Sequence, residues 1–277
     1  MKTVSHTSQW TAAARALETE RDRDPLFQDP LARKLAEPDG FELLDKYGGG
    51  GLVEFVAIRT RYLDDAVTTR LDAGIRQVVF IAAGMDTRAY RLSWPDDAVV
   101  YEVDHHALVD EKEARLEALG AKPAVELRRV RADLAGDWLP ELKKAGFDPD
   151  KPTLWVAEAL LFFLTPEQSA TLLRTLHAGS APGSELSLDI LSKQLLRSPA
   201  TQFFLAALKA DGIPWLFGTD EPEAFLAANG WTLRELKEPG EPGAGEGRWP
   251  YAVQPRSEKG VSRNWLIRAE VSPNHPA

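Results

Sequence analysis

Gly84, Asp86, Asp104 and Glu158 are the residues of this 277-residue chain whose types and spacing could do chemistry together. Gly84 closes the apolar run Val78-Val79-Phe80-Ile81-Ala82-Ala83. That pattern predicts a buried strand ending at a tight turn, where the missing Cβ lets backbone approach a ligand. A second run, Ala98-Val99-Val100-Tyr101-Glu102-Val103, ends in Asp104, 20 residues beyond Gly84. An acidic residue at that distance, on the tip of the second strand, is where a doubly wound α/β fold holds a ribose hydroxyl pair. Glu158 sits inside Trp155-Val156-Ala157-Glu158-Ala159-Leu160-Leu161, at the end of another apolar run. A carboxylate there is costly unless it meets a partner or water, and such a conflict marks a site.

The turn Ala82-Ala83-Gly84-Met85-Asp86-Thr87 has one glycine where G-x-G-x-x-G has three, so a pyrophosphate cradle is not expected. Asp86 would repel a phosphate and attract an ammonium or a sulfonium. A ribose, a cationic centre and no phosphate together describe S-adenosylmethionine.

The elements that must position these residues follow from periodicity. Apolar or alternating runs predict strands at 78–83, 98–103, 125–130, 153–157, 185–190, 231–236 and 264–269. Between them, helical spacing predicts helices over 7–20, with Trp10, Ala13, Ala14 and Leu17 on one face, over 52–73, and over 105–119. Thr165-Pro166-Glu167 starts a further helix running to about Ala178, and another covers 220–228. Asp29 followed by Pro30 has the form of an N-cap on a surface helix, and Asp133 could cap the helix containing Trp138. Tyr47-Gly48-Gly49-Gly50-Gly51 lacks the lysine and hydroxyl of a phosphate loop and is expected to be a joint. Glu238 to Gly247 is a long Pro/Gly-rich loop, and Val271 to Ala277 a tail.

Composition narrows the partners. The net charge of −9 disfavours nucleic acid, which asks for a basic face. The absence of cysteine removes disulfides and thiolate chemistry, and no metal is expected. The start, Met1 to His6, has no apolar core of signal-peptide type, and no later run reaches the length of a membrane span, so a soluble cytoplasmic protein acting on a small molecule is expected.

Five segments resemble the bacterial branch of the leucine carboxyl methyltransferase family. They are Arg59-Thr60-Arg61-Tyr62-Leu63-Asp64-Asp65, Ala83 to Leu92, Glu102-Val103-Asp104, Ala132-Asp133-Leu134, and Ala157 to Leu164. The resemblance implies a doubly wound, Rossmann-like class I methyltransferase sheet with S-adenosyl-L-methionine as cofactor. It also implies a helical amino-terminal cap (1–51), a cofactor-binding core (52–190), an inserted substrate lid (191–218) and carboxy-terminal strands with a loop (219–277). By resemblance, Arg59 or Arg61 reaches the carboxylate of the methionine moiety, and Asp133 with Leu134 touches adenine. Cofactor contacts are expected at Arg59, Arg61, Ala83, Gly84, Asp104, His105, Asp133, Leu134, Glu158 and Ala159. His105 and His106 follow the ribose carboxylate directly and are expected near the adenosine end, in a cap or surface role. The family commonly has tyrosine where Phe163 stands, which puts a hydroxyl-based role there in doubt.

No histidine is placed directly after the fourth strand or within 191–218 to act as a base. A carboxylate or an acidified hydroxyl is therefore favoured over an ordinary alcohol as methyl acceptor, on a small molecule such as a natural-product intermediate. Arg248, Arg256 or Arg263 could hold an anionic acceptor, or could be surface arginines. Two other readings stay open: a catalytically silent cofactor-binding protein of the same fold, and a dinucleotide-dependent oxidoreductase, which the missing glycines disfavour.

Overall fold

The computed structural model describes residues 2–272; the predicted tail beyond them, and the side chains of the start at 1–6, lie outside the described part. Among the described residues, ten α-helices run in chain order: α1 (Lys2–Thr19), α2 (Ala32–Tyr47), α3 (Leu52–Asp72), α4 (Arg88–Arg91), α5 (His106–Ala118), α6 (Leu139–Lys144), α7 (Pro166–Ala178), α8 (Lys193–Arg197), α9 (Gln202–Ala210) and α10 (Pro222–Ala227). The described residues also form seven strands, the first five separated by helices: β1 (Gln77–Ile81), β2 (Val99–Asp104), β3 (Glu126–Arg131), β4 (Thr153–Ala157), β5 (Glu185–Leu191), β6 (Trp231–Lys237) and β7 (Asn264–Val271).

The strands form one sheet in the order β3-β2-β1-β4-β5-β7-β6. The first five are parallel, while β7 pairs antiparallel with both β5 and β6. The chain leaves β1 towards β2 and β3, then returns to place β4 on the other side of β1. The strand order therefore reverses between β1 and β4, and a crevice opens beyond their carboxyl ends.

Both faces of the sheet are covered, which is why β1 and β4 read as unbroken apolar runs. Val79, Ile81, Trp155 and Ala157 face one core, with Leu172 and Leu176 of α7. Val78, Phe80, Leu154 and Val156 face the other, with Ile58, Leu63 and Val67 of α3. A third cluster packs α1 and α2 over the carboxyl edge of the sheet through Trp10, Ala13, Leu35, Val56 and Met85. The apolar face of α1 is not quite the predicted one. Ala12, Ala13, Ala14 and Ala16 are buried, whereas Leu17 is exposed.

Local chemistry sets the ends of several elements. Thr165 and Gln168 form a reciprocal capping box at the start of α7, with Pro166 in its first turn. Pro38 disfavours helical backbone at the residue before it, and Glu37 kinks α2 at φ 54°. Gly48 to Gly51 joins α2 to α3. In the long loop after β6, a Cβ on Gly245 would lie 2.4 Å from the Ile58 side chain, so the loop braces α3 next to Arg59. Among the described residues, no helix is long and apolar enough to cross a membrane.

Candidate functional site

The turn after β1 is held in a conformation that costs energy. Ala82 has φ 52° and Gly84 φ 50°, and the left-handed region costs a residue with a Cβ about 1 kcal/mol or more. Glycine is required at the second position for a further reason: a Cβ there would come within 3.0 Å of the Ser8 Cβ on α1. The amino-terminal helix thus lies directly against the turn.

Asp104 ties the tips of β1 and β2 together. Its Oδ2 accepts from the Gly84 N–H at 2.7 Å and its Oδ1 from the His105 N–H at 2.7 Å. The carboxyl is buried. Burial pushes its pKa above the ordinary aspartate value, against the opposing pull of the two backbone donors and Lys112. Each oxygen keeps a lone pair beyond its backbone bond, so the group can accept from a vicinal pair of hydroxyls.

Beneath this turn lies a network of buried arginines and carboxylates. Arg59 Nε meets Glu158 Oε1 at 3.0 Å and its Nη1 meets Asp189 Oδ2 at 3.1 Å. Arg88, 1% exposed, bonds Asp64 at 2.7 Å, Glu158 at 2.8 Å and Asp86. Arg91 pairs with Asp64 at 2.6 Å. From α1, Arg15 Nε reaches Asp29 at 2.9 Å, and its Nη2 donates to the Met85 carbonyl at 2.5 Å. Asp29 therefore does not cap a helix by its side chain. It points inward, takes Thr87 Oγ1 as well at 2.7 Å, and α2 begins only at Ala32, without a side-chain cap. Buried charges persist because they are paired; removing one partner leaves the other uncompensated.

Glu158 shows the outcome in its titration. Burial alone would raise its pKa, but Arg88, Arg59 and Arg15 together pull it down to about 2. Asp189 goes the other way, raised by a burial that Arg59 and the Ala159 N–H only partly offset. A carboxylate whose folded pKa lies below its unfolded value contributes stability above the unfolded value, near 4.5, and that contribution is lost as the pH falls towards the folded one. For Glu158 this contribution is on the order of 3 kcal/mol. The stability gap between wild type and Glu158→Gln in urea unfolding is expected to narrow as the pH falls from about 5 towards 2.5. A gap independent of pH contradicts this.

A cavity of about 340 Å³ opens at the carboxyl ends of β1, β2 and β4, within the size range of small-molecule sites. Its floor is the turn Ala82 to Asp86 with Asp104, and one wall is α1 from Thr7 to Arg15. Glu158, Ala159 and Arg59 bound it from the side of β4 and α3. The apolar part of the wall is Leu160, Phe162 and Phe163 with Ile213 and Pro214. Trp215 backs these residues, its ring centroid 4.7 Å from that of Phe162. A second hollow of about 300 Å³ lies between the β3 tip, from Leu134 to Trp138, and α7. Leu160 borders both cavities.

Of the residues singled out in the sequence, the structure brings Arg59, Ala83, Gly84, Asp104, Glu158 and Ala159 around the first cavity. Leu134 borders the second. Arg61, about half exposed, points away to Asp65 and to the Leu26 carbonyl. His105 is exposed and caps α5, its Nδ1 accepting from Ala107 N–H at 3.4 Å. Asp133 is exposed too, and its Oδ1 accepts from Ala135 N–H at 3.0 Å in a local turn. It does not cap α6, whose N-cap is Trp138. Arg248, Arg256 and Arg263 are engaged by Glu18, Glu241 and Glu238 respectively, and none borders the cavity.

Arg15 and Asp189 escaped the sequence reading, although each carries the signal that exposed Glu158. Arg15 is a charge between buried alanines at 12–16, and Asp189 a charge inside Leu186-Ser187-Leu188-Asp189-Ile190.

Comparison with known proteins adds independent findings. The family model described as leucine carboxyl methyltransferase matches residues 8–177. A protein of Mycobacterium avium, provisionally named an S-adenosyl-L-methionine-dependent methyltransferase, is 36% identical over 267 residues, covering 84% of this chain and 85% of its own. Among solved structures, a DUF574-family protein from Streptomyces avermitilis aligns with a TM-score of 0.64 at 18% identity, over 95% of this chain and 97% of its own. A methyltransferase, so named provisionally, from Thermobifida fusca gives 0.62 at 19%, over 94% of each. At these identities the structural likeness is one of fold.

Proposed function

We propose, from the premise that this chain belongs to the leucine carboxyl methyltransferase family and is an S-adenosyl-L-methionine-dependent methyltransferase, that it methylates an oxygen of a small acidic molecule in the cavity above β1 and β4. The observation carrying this reading is Asp104, which joins two strand tips through backbone donors and still offers two acceptor lone pairs to the cavity.

The residues present suit the cofactor. Asp104 would take the ribose hydroxyls, and Leu134 at the second hollow, across Leu160, would meet the adenine. Arg59 and Arg15 would face the methionine carboxylate, where a charge-assisted bond is worth about 1.5–3 kcal/mol. Asp86 and Glu158 supply negative charge for the ammonium and sulfonium. Bound there, the cofactor supplies an electrophilic methyl group.

The chain's contribution is then to orient the acceptor and exclude water, which can be worth roughly 7–11 kcal/mol. Among the described residues lining the cavity there is no histidine, lysine or tyrosine, and Glu158 is held ionised by its arginines. An acceptor that arrives ionised fits such a wall. A carboxylic acid meets that condition near neutral pH; a phenol titrating near 10 would cost about 4 kcal/mol first. The apolar surface of Phe162, Phe163 and Ile213 favours an acceptor with an apolar body, such as an acidic intermediate of natural-product biosynthesis.

Incubation with methyl-labelled cofactor and a panel of aryl and alkyl acids, phenols and alcohols tests this. Label released by mild alkali, as from a methyl ester, is the expected outcome with acids. Transfer confined to nitrogen, carbon or unactivated alcohols overturns it. Tight binding of the cofactor with no acceptor of any class turned over also overturns it.

A further inference from the structure

We infer that Asp189, which does not border the cavity, is the positioning residue that sets two of its walls at once, one carboxylate oxygen for each. The inference rests on the reading that this cavity receives the cofactor. Asp189 is 1% exposed near the carboxyl end of β5. Its Oδ2 accepts from Arg59 Nη1 at 3.1 Å, and its Oδ1 accepts from the Ala159 N–H at 2.7 Å. Arg59 and Ala159 both line the cavity, and they approach it from different elements, α3 and the loop after β4.

Ala159 is where the restraint matters. Its φ is 54°, in the region that disfavours any residue with a Cβ, and the chain must turn there so that Leu160 can border both cavities. The bond to Asp189 holds that turn. Arg59 is fixed from two sides, by Glu158 at Nε and by Asp189 at Nη1. Only the second of these partners lies outside the cavity wall, so it alone can orient the guanidinium without competing for the ligand.

The two arms can be separated. Asp189→Asn keeps one oxygen for the Ala159 N–H and turns an amide donor towards Arg59, breaking only the arginine arm. Asp189→Leu, of similar shape, breaks both. Ala159→Gly removes the steric cost of the positive φ and so replaces the second arm alone. Calorimetric titration with S-adenosylhomocysteine, alongside thermal unfolding of each variant, is expected to show affinity about tenfold weaker in D189N and about a hundredfold weaker in D189L, one charged or buried bond per step. Adding A159G is expected to return about tenfold to D189L and nothing to D189N.

Loss of thermal stability with unchanged affinity in both variants overturns the inference, as does rescue of both by glycine. If D189L does not fold, D189N with and without A159G decides: weakened binding that glycine leaves unchanged supports it, and wild-type binding overturns it. A wild type that takes up no S-adenosylhomocysteine overturns the site reading itself, and this inference with it.

Discussion

Alanine at position 104 is expected to reduce affinity for S-adenosylhomocysteine by a factor of about 100 or more while the protein stays folded. Two hydroxyl donors onto one ionised carboxylate are worth about 1.5–3 kcal/mol each, so losing both spans about two to four decades. The same substitution frees the Gly84 and His105 N–H groups that the carboxylate now holds, and loosens the turn under the ligand. Asp104→Asn keeps one acceptor and should fall in between. Titration calorimetry measures all three.

The pH dependence has a defined sign. Because burial raises the pKa of Asp104, the ionised form that accepts both hydroxyls is lost at a higher pH than for an ordinary aspartate. Affinity should therefore begin to drop earlier on acidification. The contribution of this one group to folding stability runs the other way: a raised carboxyl pKa favours the folded state at low pH, and that advantage fades as the pH rises through the folded value.

Replacing Arg88 by leucine is expected to lower unfolding free energy by about 3–5 kcal/mol, the cost of stranding buried charges that have lost their partner. Arg88 joins Asp64, Asp86 and Glu158, and its loss leaves Asp86 without its ion pair, Asp64 with Arg91, and Glu158 with Arg59 and the field of Arg15. Arg61→Leu, on the same family motif but paired with Asp65 in solvent, should change stability by only ~0.5 kcal/mol. Urea unfolding of the two variants side by side distinguishes a structural buried network from surface ion pairing; equal effects would contradict it.

The contrast between Arg59 and Arg61 also shows what a sequence can and cannot reveal. Both sit on α3, two positions apart, and so point to different sides of the helix. Arg59 has Phe55, Val56, Tyr62 and Leu63 at the spacings that share its face, all buried. Arg61 has Asp65 four residues on, the spacing of an exposed pair. Periodicity alone does not make the choice, because Ala57, Ile58 and Asp64 beside Arg61 are buried as well; the acidic partner one turn on is the distinguishing local signal. Asp29 was different: its partners Arg15 and Thr87 are 14 and 58 residues away, and only the packing of α1 over the sheet brings them together. The local pattern Asp-Pro suggested a surface cap instead.

The central strands β1, β4 and β5 are readable to within a few residues because apolar runs leave little choice where both faces are buried, while the edge strands β3 and β6 show alternation instead. The roles of Arg15 and Asp189 are not legible locally, because Arg15 lies on a helix and Asp189 within a strand, whereas Glu158 follows the end of an apolar strand, where ligands are expected. In the folded chain the same conflict recurs at Arg15, Arg59, Glu158 and Asp189. The walls beyond the strand tips, from α1 and from residues 212–214, come from segments with no motif of their own.

A crystal structure of the protein with S-adenosylhomocysteine bears most directly on the site. Both ribose hydroxyls should lie within hydrogen-bond distance of the Asp104 carboxylate, with the homocysteine chain over the Gly84 turn and the adenine beside Leu160. A ligand seated elsewhere, leaving Asp104 in contact only with the backbone of Gly84 and His105, would contradict the proposed cofactor site.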